Sequence, residues 1–269
     1  MLSRRINVLV CAKPKCHHCA CIHGTACYRY SRFSGLLLTG FHYVLSKQKR
    51  FRERDGCKIT MKSSQPDTPH PALQAGNSIE ALRAAAKGCR ACPLWENATQ
   101  TVFGEGSSRA KIMLVGEQPG DREDIVGRPF IGPAGLLLGR ALAEVDVPRE
   151  NVYVTNAVKH FKFEPRGKRR LHKKPVDLEI AACHDWLKRE IELVSPRLLV
   201  ALGATAARSL LGRATAIQAN RGKLREYARD ISLLITVHPS FLLRVPEESK
   251  DDEYDRFVED LRLVKPFLA

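Results

Sequence analysis

Long apolar runs are missing from this chain. Near its start the longest, residues 8–12, falls far short of the ~20 apolar residues that a membrane-spanning helix needs. A secretory signal is missing as well, so no export is expected. Acidic residues are scarce: 29 Asp and Glu stand against 44 Lys and Arg, a net charge of +15. The deficit is concentrated, because the first sixty residues hold 2 acidic and 12 basic side chains. They carry a net +10 and the rest of the chain +5. What remains is ordinary, with 44% hydrophobic and 27% charged residues, which excludes wholesale disorder. At 269 residues the chain has room for one or two domains with a sizeable core and is expected to be soluble.

Residues 1–60 lack any sustained period of 3.6 or 2, so they do not have the pattern of a packed domain. Yet they hold six of the nine cysteines: Cys11, Cys16, Cys19, Cys21, Cys27 and Cys57. Their spacing matches no standard four-ligand pattern. A small metal knuckle around Cys16, His17, His18 and Cys19 is one active reading, and a basic nucleic-acid arm is another. An organelle transit segment is a third, opposed by the density of Cys and His. The plain reading is a disordered leader, or a start of translation at Met61. Residues 61–77 are polar and proline-rich and suit a linker, leaving 78–269 as the main domain. That domain holds Cys89, Cys92 and Cys183, an odd number that argues against a disulfide framework. With no export signal, a reducing cytoplasm is the expected compartment.

Within the main domain, Ser78 caps a helix running to residue 87, ended by Gly88. Residues 110–115 have the pattern of a buried strand entering the loop 116–121. A helix is expected over 133–145, a strand over 151–158, and an aperiodic basic loop over 160–175. Pro175 opens a helix to about residue 192. A strand over 197–202, a helix over 205–211, a strand over 232–237 and a closing helix over 246–263 complete the series. Strands alternating with helices at these lengths predict an α/β fold, a parallel sheet covered by helices on both faces. Ligand chemistry in such a fold gathers at the C-terminal ends of the strands, here residues 117–121, 156–160 and 238–240.

Cys89-x-x-Cys92 after a helix is a metal or cluster half-site, or two buried thiols. Cys183 adds a third thiolate or is a core residue, and His160 a fourth donor. Iron–sulfur and zinc chemistry both accept that set. The loop Gly-Glu-Gln-Pro-Gly-Asp at 116–121 follows a strand but has neither the lysine of a nucleotide P-loop nor the glycine spacing of a dinucleotide fold. It holds Glu117, Gln118 and Asp121 on a stiff backbone, or is a surface turn. Residues 166–174 are seven-ninths basic, Lys168, Arg169 and Arg170 among them, and embed His172. Such a run is a solvated loop or a phosphate-binding one, and its cations are expected to depress the pKa of His172. Asn156 offers the donors and acceptor that match a pyrimidine imide edge. Phe130 stacks on a base or fills core, and His238 is a strand-end structural residue or a catalyst.

Together these stretches resemble the uracil-DNA glycosylase superfamily, family 4 and within its neighbourhood the UdgX-type enzymes. The resemblance spans about residues 81–263. It rests on Gly-Glu-Gln-Pro-Gly-Asp at 116–121, where ordinary family 4 enzymes have alanine for Gln118, and on His-Pro-Ser at 238–240. Val-Thr-Asn-Ala-Val-Lys-His-Phe-Lys-Phe at 154–163 and Gly-Lys-Arg-Arg-Leu-His-Lys-Lys-Pro at 167–175 resemble the histidine-bearing basic loop of the UdgX type, with Leu171 where isoleucine is usual.

The resemblance implies a three-layer α/β/α sandwich around a short parallel sheet, and a [4Fe-4S] cluster held by Cys89, Cys92, His160 and Cys183. It implies that Phe130 stacks on an extruded uracil, Asn156 reads its imide edge and Gln118 contributes to the pocket. His238 would stabilise the uracil anion, and Glu117 would orient or deprotonate His172 with Asp121 in support. Lys168, Arg169 and Arg170 would contact DNA. The implied enzyme is a monomer that excises uracil from DNA, preferably single-stranded, and becomes covalently joined to the sugar through His172. The rivals are a multiple-turnover glycosylase that releases free abasic DNA, and a non-catalytic iron–sulfur protein that binds nucleic acid.

Overall fold

The computed structural model describes residues 69–268. In chain order the elements are α1 (Pro71–Gln74), α2 (Ile79–Ala86), β1 (Ile112–Gly116), α3 (Asp121–Val126), α4 (Pro133–Glu144), β2 (Val152–Asn156), β3 (Phe163–Arg166), β4 (Arg169–His172), α5 (Asp177–Val194), β5 (Leu198–Leu202), α6 (Ala204–Leu211), α7 (Ile217–Asn220), β6 (Leu224–Ala228), β7 (Ile231–Thr236), α8 (Pro239–Leu242) and α9 (Lys250–Arg262). The main sheet runs β2-β1-β5-β7-β6, its first four strands parallel and β6 antiparallel at the edge.

Period-two alternation explains why the central strands are apolar throughout. Ile112 and Leu114 of β1, with Leu198, Val200 and Leu202 of β5, enter one core beside α4, α8 and α9. Met113 and Val115, with Leu199 and Ala201, enter the other beside α5 and α6. The result is the three-layer α/β/α sandwich. A third, smaller core lies under α1 and α2 and includes Cys89, Cys92, Cys183 and Trp186. Helix α5 joins two cores: Ile180, Cys183 and Trp186 face the small one, and Leu187, Ile191 and Val194 the sheet. It stops at Ser195, left-handed at φ +50°, just before Pro196.

Four expectations are corrected. The basic segment 160–175 is not an aperiodic loop, because β3 and β4 pair antiparallel as a hairpin, Phe163 opposite His172. Gly167, at φ +59°, supplies the left-handed turn residue that a two-residue hairpin requires. The sheet is mixed, because residues 224–228, alternately exposed and half-buried, form the edge strand β6 antiparallel to β7. Residues 71–74, placed in the linker, form α1, which packs on α2 and α5. The closing helix is shorter than expected, beginning at Lys250 after one tight turn at Glu247–Ser249. The chain leaves β1 for β2 on one side and returns to β5 on the other. The ends of β1 and β5 thus flank a crevice of the kind that binds ligands.

Candidate active site

A cavity of about 300 Å³ opens at those strand ends and is lined by Phe130, Asn156, His172, His238 and the motif loop. Asn156 ends β2 and is 3% exposed, and its side-chain amide has no hydrogen-bond partner among the described residues. Gly116 lies opposite it across the β1–β2 ladder. A Cβ there would stand 2.4 Å from Asn156 Oδ1 and 2.6 Å from the Phe130 ring, so only glycine lets amide and ring share the cavity. Phe130 is held at φ +56°, a left-handed conformation that a bulky residue adopts at a cost of roughly 1–2 kcal/mol. Such strain persists where surrounding structure imposes it, commonly at functional sites. The restraint is Glu123: Oε1 accepts from the Ile131 and Gly132 amides (3.1 and 2.8 Å), and Oε2 from Gly120 (3.1 Å). One buried carboxylate thus ties the motif loop to the loop that carries Phe130.

His238 follows β7, its ring 6.2 Å from Phe130. Its Nδ1 accepts from the Ser240 amide at 3.2 Å, which places the proton of the neutral ring on Nε2. Burial holds the imidazole down at about 4, outweighing attraction from Glu117. At neutral pH the group is an uncharged N–H donor in a pocket of low polarity, suited to a developing anion.

The hairpin brings His172 to the same cavity, with Nε2 3.3 Å from Glu117 Oε1. The nearest charged partner of His172 is thus a carboxylate, whereas of the flanking cations Arg170 is taken up by Asp121 and Asp124 and Lys173 by Glu164. Burial pushes the Glu117 carboxyl up, but hydrogen bonds from His172 and Thr205 outweigh it and hold the group below its usual range. Two anchors fix the hairpin. Gln118 spans its base, with Nε2 donating to the Lys162 and Lys173 carbonyls (3.2 and 3.0 Å) and Oε1 accepting from the Lys162 amide (3.0 Å). Arg170 pairs with Asp121 and buried Asp124 at 2.6 Å each and covers the Phe161 and Phe163 rings. Gln118 and Asp121 both border the cavity, as expected, and each also braces the hairpin: Gln118 through both amide atoms and Asp121 through Oδ1. Arg170 likewise is an internal clamp, whereas Lys168 and Arg169 at the turn are exposed.

Cys89, Cys92 and Cys183 are buried free thiols in the small core. A hydrogen bond with Cys183, assisted by His160, holds Cys92 down at about 5 despite burial, and the same bond pushes Cys183 up. Trp186 Nε1 donates to Cys89 Sγ at 3.1 Å. His160 is 3% exposed; Nε2 meets Thr101 Oγ1 at 3.0 Å, while Nδ1 is buried without a hydrogen-bond partner among the described residues. Among the described residues no group of three or more His, Cys, Asp or Glu donors is arranged to hold a metal ion.

Sequence reasoning missed Gly116, Glu123 and Asp124. Glu123 had a usable signal, standing three residues after Gly120 where a helix N-terminus takes an acceptor. Asp124 had none, since its partners Thr99 and Arg170 are distant in the chain.

Comparison with known proteins agrees with this geometry. Residues 103–262 match the family model described as the uracil DNA glycosylase superfamily. A Type-4 uracil-DNA glycosylase of Thermotoga maritima is 39% identical over 192 residues, which cover 71% of this chain and 94% of that protein. One of Saccharolobus solfataricus is 34% identical over 201 residues, 72% of this chain and 88% of the relative. One of Sulfurisphaera tokodaii is 34% identical over 187 residues, 66% and 82%. Matched over most of its described fold and at this identity to full-length relatives, the chain belongs to the uracil-DNA glycosylase superfamily.

Proposed function

We propose that this protein is a uracil-DNA glycosylase that excises uracil, with preference for single strands, and becomes covalently joined to the resulting sugar through His172. The observation that carries the reading is His172 held 3.3 Å from the Glu117 carboxylate at the mouth of the Phe130–Asn156–His238 cavity. A base inside a duplex is out of reach, so the uridine must leave the stack, which costs least in a single strand. Phe130 stacks on the extruded ring and the free amide of Asn156 meets its imide edge. As the bond from C1′ to the base breaks, its electron pair departs with the uracil, and the neutral His238 N–H stabilises the anion. The lone pair of a His172 ring nitrogen forms the new bond to C1′. The ring proton passes toward Glu117, and the uracil anion takes up a proton from solvent. No second step frees the histidine, so each molecule turns over once. Gln118 supports this reading: it stands where the resemblance gives ordinary family 4 enzymes alanine, and its amide holds the hairpin that carries His172. Lys168 and Arg169 offer exposed cations to the phosphate backbone.

The small core fits a [4Fe-4S] cluster held by Cys89, Cys92, Cys183 and His160. The fit rests on three buried thiols, the thiolate character of Cys92 and the orphaned Nδ1 of His160. Each iron of a cluster would take its own protein ligand, so the four donors would not need to converge on one ion. Bound there, the group supplies cross-links between the α2 end, β2 and α5.

The test is a denaturing gel of protein mixed with labelled uracil- or thymine-containing single strands, beside His172→Ser. A heat-stable, uracil-dependent shifted band that disappears in His172→Ser is the expected outcome. Alkali-labile DNA without a shifted band would establish a multiple-turnover glycosylase instead. No uracil-dependent product, with DNA binding retained, would leave a binding protein.

A further inference from the structure

A second cavity, of about 460 Å³, lies on the other side of His172 and His238 from the first. Its far wall is α7, its floor Phe241, and its rim carries Lys174 and Arg244. The function proposed above does not use this space. We propose that it binds the nucleotide adjacent to the uridine in the same strand and reads that nucleotide's base through Gln218. The inference rests on the glycosylase reading.

Continuity with the uracil cavity selects the occupant. If the uracil occupies the first cavity and its sugar stands at His172, the chain must leave across the shared wall of His172, His238, Ser240 and Arg244. The next nucleotide then reaches the second cavity without spanning any further surface. Ile217 and Phe241 provide partly buried apolar faces for a base to stack against. Gln218 is exposed and has no hydrogen-bond partner among the described residues, leaving an amide donor and acceptor for a base edge. Lys174 and Arg244 are exposed and without a carboxylate partner among the described residues; Arg244 reaches Ser240 Oγ at 3.5 Å. Glu117 also borders the space, but His172 and Thr205 occupy it. The wall is braced at one end, where Arg221, at the end of α7, pairs with Asp260 and Glu253 of α9 at 2.8 and 2.9 Å. A preformed wall loses little freedom on binding.

The consequence is a sequence-context preference at one flank of the uracil. The experiment measures single-turnover uracil release from single-stranded oligonucleotides that carry each base, or an abasic spacer, immediately 5′ or immediately 3′ of the uracil. Wild type is expected to show ~5-fold or greater differences among bases at one flank, with the spacer slowest there. Gln218→Ala is expected to compress those differences to about twofold by slowing the favoured contexts. Lys174→Ala with Arg244→Ala is expected to slow every context by a similar factor. Release rates within about twofold for all bases at both flanks, or a preference that Gln218→Ala leaves unchanged, overturn the proposal. Absence of uracil release from every oligonucleotide overturns the glycosylase reading and this proposal with it.

Discussion

Phe130 stands in a conformation that its own chemistry disfavours, and the residue that keeps it there is Glu123. Replacing Glu123 by Gln turns an acceptor that faces the Gly120 amide into a donor, leaving a buried donor unsatisfied at a cost of about 1–3 kcal/mol. Uracil excision is expected to fall ~10-fold or more as Phe130 relaxes, which a release assay alongside thermal melting measures. His238 makes a prediction with a definite sign. Its folded value of about 4 lies below the ordinary 6.5, so between those values the unfolded chain binds more protons. Its contribution to stability is complete above 6.5 and is lost as pH falls toward 4. Urea unfolding at pH 7 and pH 5 should show a smaller loss of stability in His238→Asn than in wild type.

At the scale of elements, the β3–β4 hairpin decides where His172 stands. Its sequence, Phe-Glu-Pro-Arg and Arg-Arg-Leu-His around Gly-Lys, has no apolar alternation to give it a buried face. Position comes from outside: three hydrogen bonds with Gln118 at the base, two donated by it and one accepted, and Arg170 bound to Asp121 and Asp124 across its face. Gln118→Ala removes the first anchor without touching the uracil cavity's Asn156 or His238. Crosslinking is expected to slow by ~100-fold, the scale of a misplacement of about 1 Å, while uracil release is less affected. Parallel gel and release assays separate the two effects, and equal losses would argue against positioning.

At the scale of the whole molecule, the small core and the cavity lined by Phe130, Asn156 and His238 are linked by one short segment. Asn156 ends β2, and His160 follows four residues later. Between them, fully buried Lys159 bonds the Asn156 carbonyl at 2.8 Å and pairs with Glu190 of α5. Glu190 also receives Gly104, Tyr153 and Thr155, so this charge pair is completely satisfied. If a cluster fills the small core, protein purified without oxygen should contain about four iron and four sulfide per chain. Cys183→Ala should lose both and melt at lower temperature, whereas His160→Cys should retain iron, since thiolate also ligates it. Retention of full iron by Cys183→Ala would refute that ligand set.

The central layers were legible in the sequence because local patterns there coincide with tertiary environment. Strands such as 112–116 and 198–202 are apolar throughout since both faces are covered, and Ser78, whose hydroxyl accepts from the Ala81 amide, and Pro133 mark helix starts by local chemistry alone. The candidate residues at the strand ends were legible too, once the strands were placed. What the sequence by itself determined was thus the layering and the set of polar groups at one edge. The tertiary structure decided which of those groups face the cavity and which are braces. Gln118, Asp121 and Arg170 have chemistry suited to substrate, yet each finds its partner within the protein, 44 to 55 residues away for Gln118 and 49 for the Asp121–Arg170 pair. The edge strand β6 and the hairpin were equally hidden, because exposed strands take their pairing from a neighbour rather than from burial. Contacts between residues far apart in the chain depend on how the layers pack, and no local pattern records that packing.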